Sequence, residues 1–315
     1  MKSIMILYNP SSAGGRSEKK RRRIEKKLEK WNIPFEMYVT DSEADLKTMA
    51  SRAADEKRDI IAVGGDTTFT FAVQQILKSK FRDEINFGMI GTGSINDIVR
   101  GIGMDDIDLL LSSIKNGLTH KIDVGKVEIL PEGESHYFLG SLGIGLGTTV
   151  NKFVENWKEK KIMITKIKPA MEISGFIKGI RGSFSDNKVP IKVTIEWKDR
   201  KIVRDVTILV IQNTPLYSRS LKLSPDASPY DNILDCAVIN TRSLSNTVGV
   251  AVSIMRNKHS KRPELEILRS SEFLVTSENL FDFAIDGEII EDVNKFRVSL
   301  LKKGLSIFQP DESSC

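Results

Sequence analysis

The chain has 315 residues, of which 40% are hydrophobic and 28% charged, a composition typical of globular proteins rather than disordered or fibrous ones. A formal net charge of +5 is too small to indicate nucleic-acid binding, two cysteines allow at most one disulfide, and no apolar run approaches the roughly 20 residues of a membrane span. We therefore expect a cytoplasmic protein of two domains, with no nucleic-acid partner and at most peripheral membrane contact.

Residues 1–120 alternate between apolar, strand-like runs and amphipathic, helix-like runs. Apolar runs at Ile4–Tyr8, Phe35–Val39, Ile60–Val63 and Ile85–Ile90 predict four strands with helices between them. This alternation predicts a Rossmann-like parallel sheet covered by helices on both faces. Ligands bind such sheets at the carboxyl ends of the strands, so we expect a site in the loops that follow them.

Small residues dominate the loops after three of these strands, beginning at Asn9-Pro10, Gly64-Gly65-Asp66-Thr67-Thr68 and Gly91–Asp97. Glycine allows the backbone to approach a ligand closely, and free amides at a helix start attract phosphate. A carboxylate can hold the magnesium that accompanies phosphate. Gly-Gly-Asp alone is equally compatible with a plain strand-to-helix turn, so the prediction depends on motifs further along the chain.

Beyond residue 120 the pattern changes to short runs that are rich in β-branched residues and divided by polar turns. This pattern predicts an all-β sandwich over residues 121–301, interrupted by a basic, apolar, helix-like insertion at 149–182. A final run at Leu305–Gln309 predicts a strand, with which segment 302–315 returns to the first domain. The other predicted strands are Ile122–Ile129, Tyr137–Leu142, Val189–Trp197, Ile202–Gln212, Ile233–Ile239, Glu272–Thr276, Asp282–Ile285 and Phe296–Leu301.

Several isolated carboxylates occupy predicted loops. Asp97 follows Asn96 at a helix start, Asp123 lies in Ile122-Asp123-Val124-Gly125, and Asp286 lies in Asp286-Gly287-Glu288 between two predicted strands. Phosphoryl transfer uses such a set: backbone amides for the phosphates, carboxylates for magnesium, and one carboxylate that accepts the proton of a hydroxyl group.

In this order, and over nearly the whole chain, the motifs resemble those of the diacylglycerol kinase catalytic-domain family. The resemblance is to its bacterial lipid kinase group, which is related to sphingosine kinases and, more distantly, to NAD kinases and phosphofructokinases. Gly64–Thr68 resembles the family's Gly-Gly-Asp-Gly-Thr, Gly93–Asp97 its Gly-Thr-x-Asn-Asp, and Asp286–Glu288 its Asp-Gly-Glu. The Asn9-Pro10 loop, Ile122–Gly125 and Asp231–Asp235 match further family segments.

The resemblance implies a nucleotide-binding domain of the NAD kinase/phosphofructokinase type, followed by a β-sandwich domain, with ATP and Mg²⁺ as cofactors. It implies that Asp286 accepts the proton of a lipid hydroxyl and that Asp66 organises magnesium on the nucleotide. Asp97 and Asp123 would belong to the network of metal and water around it. The residues implied to contact nucleotide are Asn9, Gly64, Gly65, Thr67, Thr68, Gly93, Ser94, Asn96 and Glu288. A structural magnesium site is implied at Ser228, Asp231 and Ile233.

Several positions depart from the family pattern, among them Gly91, Gly147, Asn232 and Thr67, and we expect the departures to bear on activity rather than on fold. Thr67 stands where the signature has glycine, and a β-branched residue is strained if that position requires a positive φ. The sequence therefore predicts an ATP-dependent lipid kinase with diacylglycerol as the first expected acceptor. The alternatives are a sphingoid base or another lipid alcohol, a soluble acceptor as in NAD kinases, and a family member that binds nucleotide or lipid without turnover.

Two basic segments bear on membrane contact. In the first predicted helix, the basic residues suit either a solvated face or attraction to anionic lipid; they are Arg16, Lys19, Lys20, Arg21, Arg22, Arg23, Lys26, Lys27 and Lys30. In the insertion at 149–182, the apolar residues among lysines suit either packing on their own domain or entry into a bilayer. The family resemblance also suggests a homodimer.

Overall fold

The structure, a computed structural model, describes residues 3–13, 17–93, 96–146, 148, 182, 189–218, 221–259 and 262–310. The predicted insertion at 149–182 lies outside the described residues except for Gly182, and Ser94 of the predicted nucleotide site lies outside them as well.

Parallel strands in the order β4-β3-β1-β2 form the N-terminal sheet, which confirms the predicted alternation of strand and helix. The strands are β1 Ile4–Tyr8, β2 Phe35–Val39, β3 Ile60–Gly64 and β4 Asn86–Gly91. The helices are α1 Ser17–Lys30, α2 Glu43–Asp55, α3 Asp66–Lys78, α4 Asp97–Ile102 and α5 Ile107–Asn116.

Local sequence accounts for where these helices begin and end. Ser42 caps α2 by accepting a hydrogen bond from the Asp45 N–H at 3.1 Å, and Asp106 caps α5 by accepting one from the Asp108 N–H at 2.8 Å. Gly117 ends α5 with a φ of 64°, a conformation that glycine adopts without strain.

The C-terminal half is β-rich and builds a sandwich, as the sequence predicts. Its core alternates along the strands, so that Leu209 and Ile211 face the same interior as Val193 and Ile195. The strands are β5 Thr119–Ile129, β6 Ser135–Phe138, β7 Ser141–Gly145, β8 Ile191–Trp197, β9 Arg200–Val206, β10 Ile208–Gln212, β11 Leu216–Tyr217, β12 Leu221–Lys222, β13 Leu234–Ile239, β14 Leu265–Ser270, β15 Glu272–Ile285 and β16 Glu288–Phe308; the described helix of this half is α6 Leu244–Met255. None of the helices in the described ranges has the length and apolar character needed to cross a membrane.

Several predicted strand boundaries are wrong. Tyr137–Leu142 divides into β6 and β7, because the backbone amides of residues 139–141 turn away to bind Asp286. Ile202–Gln212 divides at Thr207, whose hydroxyl donates to the Thr241 carbonyl at 2.7 Å.

The opposite error affects β15. Glu272–Thr276 and Asp282–Ile285 are the two ends of this one strand, which has register shifts in between. Four of the strands and helices were not predicted at all: the two-residue strands β11 and β12, β14, and α6, which has no charged residue to mark a helical period.

Strand β16 joins the two halves of the molecule. It pairs antiparallel with β5 and β15, and its end pairs parallel with β4 through Ser306 opposite Asn86 and Ile307 opposite Phe87. The strand predicted at Leu305–Gln309 is the end of β16. One hydrogen-bonded sheet therefore runs through the described part of the chain in the order β14-β13-β10-β7-β15-β16-β4-β3-β1-β2.

Ile307→Ala should lower the free energy of unfolding by about 2–4 kcal/mol, because Ile307 is 1% exposed and truncating it leaves a cavity in the hydrophobic core of the N-terminal half. Since β16 belongs to both halves, the loss should appear in one cooperative transition, measured by urea unfolding. Lys302→Ala, at an exposed position of the same strand, is the control and should change stability by less than about 0.5 kcal/mol. Equal losses in the two variants would contradict this role of Ile307.

Candidate active site

The loops after β1, β3 and β4 meet at one edge of the parallel sheet. Asn9 Nδ2 donates a hydrogen bond to Thr68 Oγ1 at 2.9 Å, which ties the first loop to the start of α3. The Thr92 N–H donates to the Gly64 carbonyl at 2.8 Å, which ties the third loop to the second. The loops are neighbours because the carboxyl ends of parallel strands lie at the same edge.

Gly64 and Gly65 are glycines for different reasons. A Cβ on Gly64 would overlap the side chain of Thr68, so the protein's own packing requires glycine there. A Cβ added to Gly65 would have no heavy atom within 4 Å. Gly93 lies close to the same backbone, because a Cβ added to Gly93 would be 3.3 Å from the Gly65 Cα. The open backbone at Gly65, next to the start of α3, fits a phosphate group.

Asn96 presents an unsatisfied acceptor to this region. Its Nδ2 donates to the Gly93 carbonyl at 3.0 Å, whereas its buried Oδ1 has no hydrogen-bond partner among the described residues. Asn96 has a φ of 53°, and its side chain occupies the space that a Cβ on Gly91 would need. A buried acceptor left without a donor is a group that a ligand can satisfy.

Thr67 is not strained. It lies in the first turn of α3 and is not among the residues with a positive φ, so the strain considered from sequence is absent. Its Oγ1 lies 3.5 Å from the Asp286 carbonyl oxygen and 3.2 Å from where a Cβ on Gly287 would stand. Thr67 therefore contacts the turn between β15 and β16 without distorting its own loop.

A cavity of about 320 Å³ opens beside the first two loops, within the size range of small-molecule sites. One wall is formed by Thr40–Glu43, which follows β2. No sequence motif marks this wall as part of the site, although β2 also ends at the ligand-binding edge. The lining residues are Asn9, Pro10, Ser11, Thr40, Asp41, Ser42, Glu43, Leu46, Thr67, Thr68 and Phe71.

The Asp66 carboxylate connects the start of α3 to the start of α4. Its Oδ2 accepts a hydrogen bond from the Asp97 N–H at 3.0 Å, and its Oδ1 accepts one from the Ile98 N–H at 3.2 Å. Burial raises the pKa of Asp66 to about 6; these two hydrogen bonds oppose the rise, and the charges of Asp286 and Asp97 add to it. A cation bound beside Asp66 would relieve this accumulation of negative charge.

Asp286 occupies a two-residue hairpin turn between β15 and β16. Asp286 and Gly287 have φ values of 45° and 99°, as a type I′ turn requires at both central positions. The turn places the Asp286 side chain against α3 and the β6–β7 connection.

The Asp286 carboxylate accepts four hydrogen bonds. Oδ2 accepts from Thr70 Oγ1 and the Leu139 N–H, both at 2.8 Å, and Oδ1 accepts from the Gly140 N–H at 3.0 Å and the Ser141 N–H at 2.8 Å. Burial raises the pKa of Asp286, and these donors oppose the rise. Since a carboxylate has about four lone-pair positions, every one is occupied. Of the four donors, only the Thr70 hydroxyl belongs to a side chain that can rotate away.

Glu288 faces the same helix one turn further along. Its Oε2 lies 3.5 Å from Nε2 of Gln74, which is four residues after Thr70 on α3. The structure thus brings Glu288, Asp286 and Thr67 together across the cleft between the two halves.

Both carboxylate oxygens of Asp123 accept hydrogen bonds from the backbone. Its Oδ1 accepts from the Lys303 N–H at 2.7 Å and its Oδ2 from the Asn232 N–H at 2.8 Å. Asp123 therefore ties β5 to the turn before β13 and to β16, and both of its oxygens are occupied by backbone donors.

Asp231 lies in that turn and is paired with Arg269. Asp231 Oδ1 accepts from the Ile233 N–H at 3.0 Å and its Oδ2 lies 3.1 Å from the Arg269 guanidinium, which also contacts Asp235 at 3.2 Å. Arg269 is therefore shared between two carboxylates. Burial raises the pKa of Asp235 to about 6; the charge of Arg269 opposes the rise, and the charges of Asp231 and Asp226 add to it. The structural magnesium site at Ser228, Asp231 and Ile233 stays a prediction. The described residues contain no group of three or more His, Cys, Asp or Glu side chains that could hold a metal ion.

Lys20 reaches the loops from α1, a helix whose sequence indicates only a charged surface. Its Nζ donates to the Thr92 carbonyl at 2.7 Å, and the Thr92 hydroxyl lies 2.7 Å from Ser12 Oγ. The available signal was position, because the first turns of a helix that follows the first loop lie at the same edge of the sheet.

Two family models match the chain. One, described as the diacylglycerol kinase catalytic domain, matches residues 3–127, and the other, described as the YegS C-terminal NAD kinase beta sandwich-like domain, matches residues 183–308. The diacylglycerol kinase of Bacillus subtilis (strain 168) is 24% identical over 292 residues, which cover 91% of this chain and 90% of that protein. The diacylglycerol kinase of Staphylococcus saprophyticus is 24% identical over 313 residues, which cover 99% of this chain and 96% of that protein.

Solved structures share the fold. A chain from Bacillus anthracis str. Sterne, described as a candidate diacylglycerol kinase, matches with a TM-score of 0.75 at 18% sequence identity and covers 98% of this chain and 96% of its own. At this identity the likeness supports the fold alone. Together with the order of the motifs and the two matched models, these findings show that the chain belongs to the diacylglycerol kinase catalytic-domain family and is a phosphotransferase of the lipid kinase type.

Proposed function

We propose that the protein transfers the γ-phosphate of ATP to the hydroxyl group of a lipid alcohol, with diacylglycerol as the first expected acceptor. The observation that carries the proposal is the placement of Asp286 at 2.8 Å from Thr70, on the helix that begins with Asp66. The Asp286 carboxylate, which can accept a proton, therefore lies opposite the Asp66 carboxylate and the open backbone at Gly65, which suit a metal-bound phosphate.

The nucleotide side of the proposal rests on the glycine loops. The open backbone at Gly65 would receive phosphate, and the unpaired Oδ1 of Asn96 would accept a donor of the nucleotide. Asp66 and Asp97 would hold Mg²⁺, which in nucleotide sites is bound by one or two carboxylates together with the phosphates. When bound, Mg²⁺ supplies positive charge that stabilises the charge on the transferring phosphoryl group.

The acceptor side rests on Thr70 and Asp286. We propose that the lipid hydroxyl displaces the Thr70 hydroxyl as a donor to Asp286 Oδ2. As the lipid oxygen bonds to the γ-phosphorus and the bond to the leaving ADP oxygen breaks, the hydroxyl proton passes to Oδ2. The raised pKa of Asp286 suits it to accept that proton.

The basic face of α1 supports peripheral contact with an anionic membrane surface. Its exposed residues Lys19, Arg23, Lys26 and Lys30 make no ion pair with another described residue. Basic residues near an anionic bilayer contribute about 1 kcal/mol each to binding. The suggested homodimer stays a prediction.

Phosphate transfer from γ-labelled ATP should be tested with diacylglycerol, a sphingoid base and NAD as acceptors, in mixed micelles containing Mg²⁺. Asp286→Asn should lower kcat by about 100- to 10,000-fold, because a general base is lost. Asp292→Asn, at an exposed position on the same hairpin, should retain wild-type kcat. Thr67→Gly should bring no large gain, because Thr67 is not strained. Transfer only to NAD, or full activity of Asp286→Asn, would contradict the proposal.

Thr70→Val should move the acid limb of the kcat/KM profile to higher pH, by about one unit or less. The Thr70 hydroxyl lowers the pKa of Asp286, so its removal leaves the carboxylate protonated up to a higher pH. Thr119→Val, at an exposed threonine of β5, is the control and should leave the profile unchanged. An acid limb that stays in place or moves to lower pH would exclude Asp286 as the titrating base.

The stability of the nucleotide-free protein should depend on pH through Asp66. The pKa of Asp66 rises from 3.8 to about 6 in the folded protein, so between these values the folded state holds a proton that the unfolded state has lost. The free energy of unfolding should therefore fall by up to about 3 kcal/mol as pH rises from about 4 to about 6. Asp66→Asn does not titrate and should lack this part of the decline in urea unfolding. Identical pH dependence of the two proteins would refute the assignment.

A further inference from the structure

Helix α6 carries an exposed apolar stripe in addition to its buried face. Val250 and Ile254 are buried in a core cluster with residues of β10 and β13, whereas Val248, Val252 and Met255 are 41%, 38% and 70% exposed. Val248 and Val252 are four residues apart, and Val252 and Met255 are three apart, so the three side chains lie on one side of the helix. A surface helix normally has polar residues on that side, but α6 contains no charged residue at all.

Four basic residues lie next to α6 in the sequence or on a strand that it contacts. Arg242 precedes α6, Arg256 and Lys258 follow it, and Lys222 lies on β12, which α6 contacts. All four are exposed, and none makes an ion pair with another described residue. Exposed aliphatic side chains and unpaired basic residues therefore occur together on α6, its flanks and β12, and we call these four basic residues the basic rim.

We propose that this patch, formed by Val248, Val252 and Met255 with their basic rim, docks onto the surface of an anionic lipid bilayer. The aliphatic side chains enter the boundary between headgroups and acyl chains, and the basic residues face the lipid phosphates. A second copy of the chain is a poorer fit, because a stable protein interface needs about 800 Å² and 20–30 residues on each side. Three aliphatic side chains are too few for such an interface but sufficient for shallow entry into a bilayer.

Strand β7 links α6 to the proposed acceptor site. Its first residue, Leu244, packs against Leu146, which directly follows β7, and the other end of β7 begins at Ser141 beside Asp286. A strand of five residues is about 17 Å long, so β7 connects the Leu244 end of α6 to the turn that holds Asp286 over roughly that distance. This link to the acceptor rests on the proposed function, whereas the docking surface itself does not.

The test is sedimentation of the full chain with vesicles of phosphatidylcholine containing 30% phosphatidylglycerol. The triple variant Val248→Ser, Val252→Ser, Met255→Ser should lower the partition coefficient at least tenfold. Arg242→Gln and Arg256→Gln should each lower it about fivefold, which corresponds to about 1 kcal/mol per basic residue. The effect of the arginine variants should vanish with vesicles of phosphatidylcholine alone.

Val203→Ser is the matched control and should leave the partition coefficient unchanged. Val203 is 49% exposed, more than Val248 and Val252. Val203 lies on β9, away from α6 in the chain. Its side chain points away from the sandwich core, because Ile202 and Val206 on the same strand face that core. An equal loss for Val203→Ser and the triple variant would show that any exposed aliphatic residue contributes, and would overturn the proposal.

Two further measurements separate the outcomes. The triple variant should keep the wild-type melting temperature and molar mass in solution; a lower value of either, with vesicle binding unchanged, would mean that the stripe packs on protein and would overturn the proposal. The triple variant should also phosphorylate dissolved short-chain diacylglycerol as the wild type does. If the wild type phosphorylates no lipid but the triple variant still loses vesicle binding, the proposed function fails and the docking surface stands.

Discussion

The hydrogen bonds to the Asp286 carboxylate are the interaction on which the rest of the site depends. They join the β15–β16 turn to the backbone of residues 139–141 within the second half, and the bond from Thr70 joins the same carboxylate to α3 of the first half. A buried carboxylate is costly unless donors satisfy it, and the positive φ of Asp286 is the backbone conformation that aims it at them. The break between β6 and β7 exists for the same reason.

The arrangement that suits phosphoryl transfer costs the protein stability. Asp66 lies within electrostatic range of Asp97 and Asp286, and its pKa of about 6 shows that its charge is poorly solvated. The open space at Gly65 likewise contributes nothing to the protein's own packing. Such features are common in ligand sites, where the ligand and its cation complete the interactions that the protein leaves unmade.

The carboxylates to which the family resemblance assigns catalytic or metal-binding roles occupy different environments in the structure. Asp66 and Asp286 share one cleft and influence each other's charge. Asp123 uses both oxygens to join β5, β16 and the turn before β13, and Asp231 pairs with Arg269. The first pair supports a chemical role, whereas the bonds made by Asp123 and Asp231 hold strands and turns in place.

Sequence by itself determined the order of strands and helices in the first half, the β-rich character of the second, and the positions of the three ligand-edge loops. These features depend on local periodicity, capping residues and glycines, which act within a few residues of chain. Only the tertiary structure decided which donors enclose Asp286, that Lys20 reaches Thr92, and that Val248, Val252 and Met255 of α6 remain exposed. Those outcomes depend on contacts between residues far apart in the chain. The hydrophobic pattern of a segment predicts that the segment packs, but not which residues it packs against.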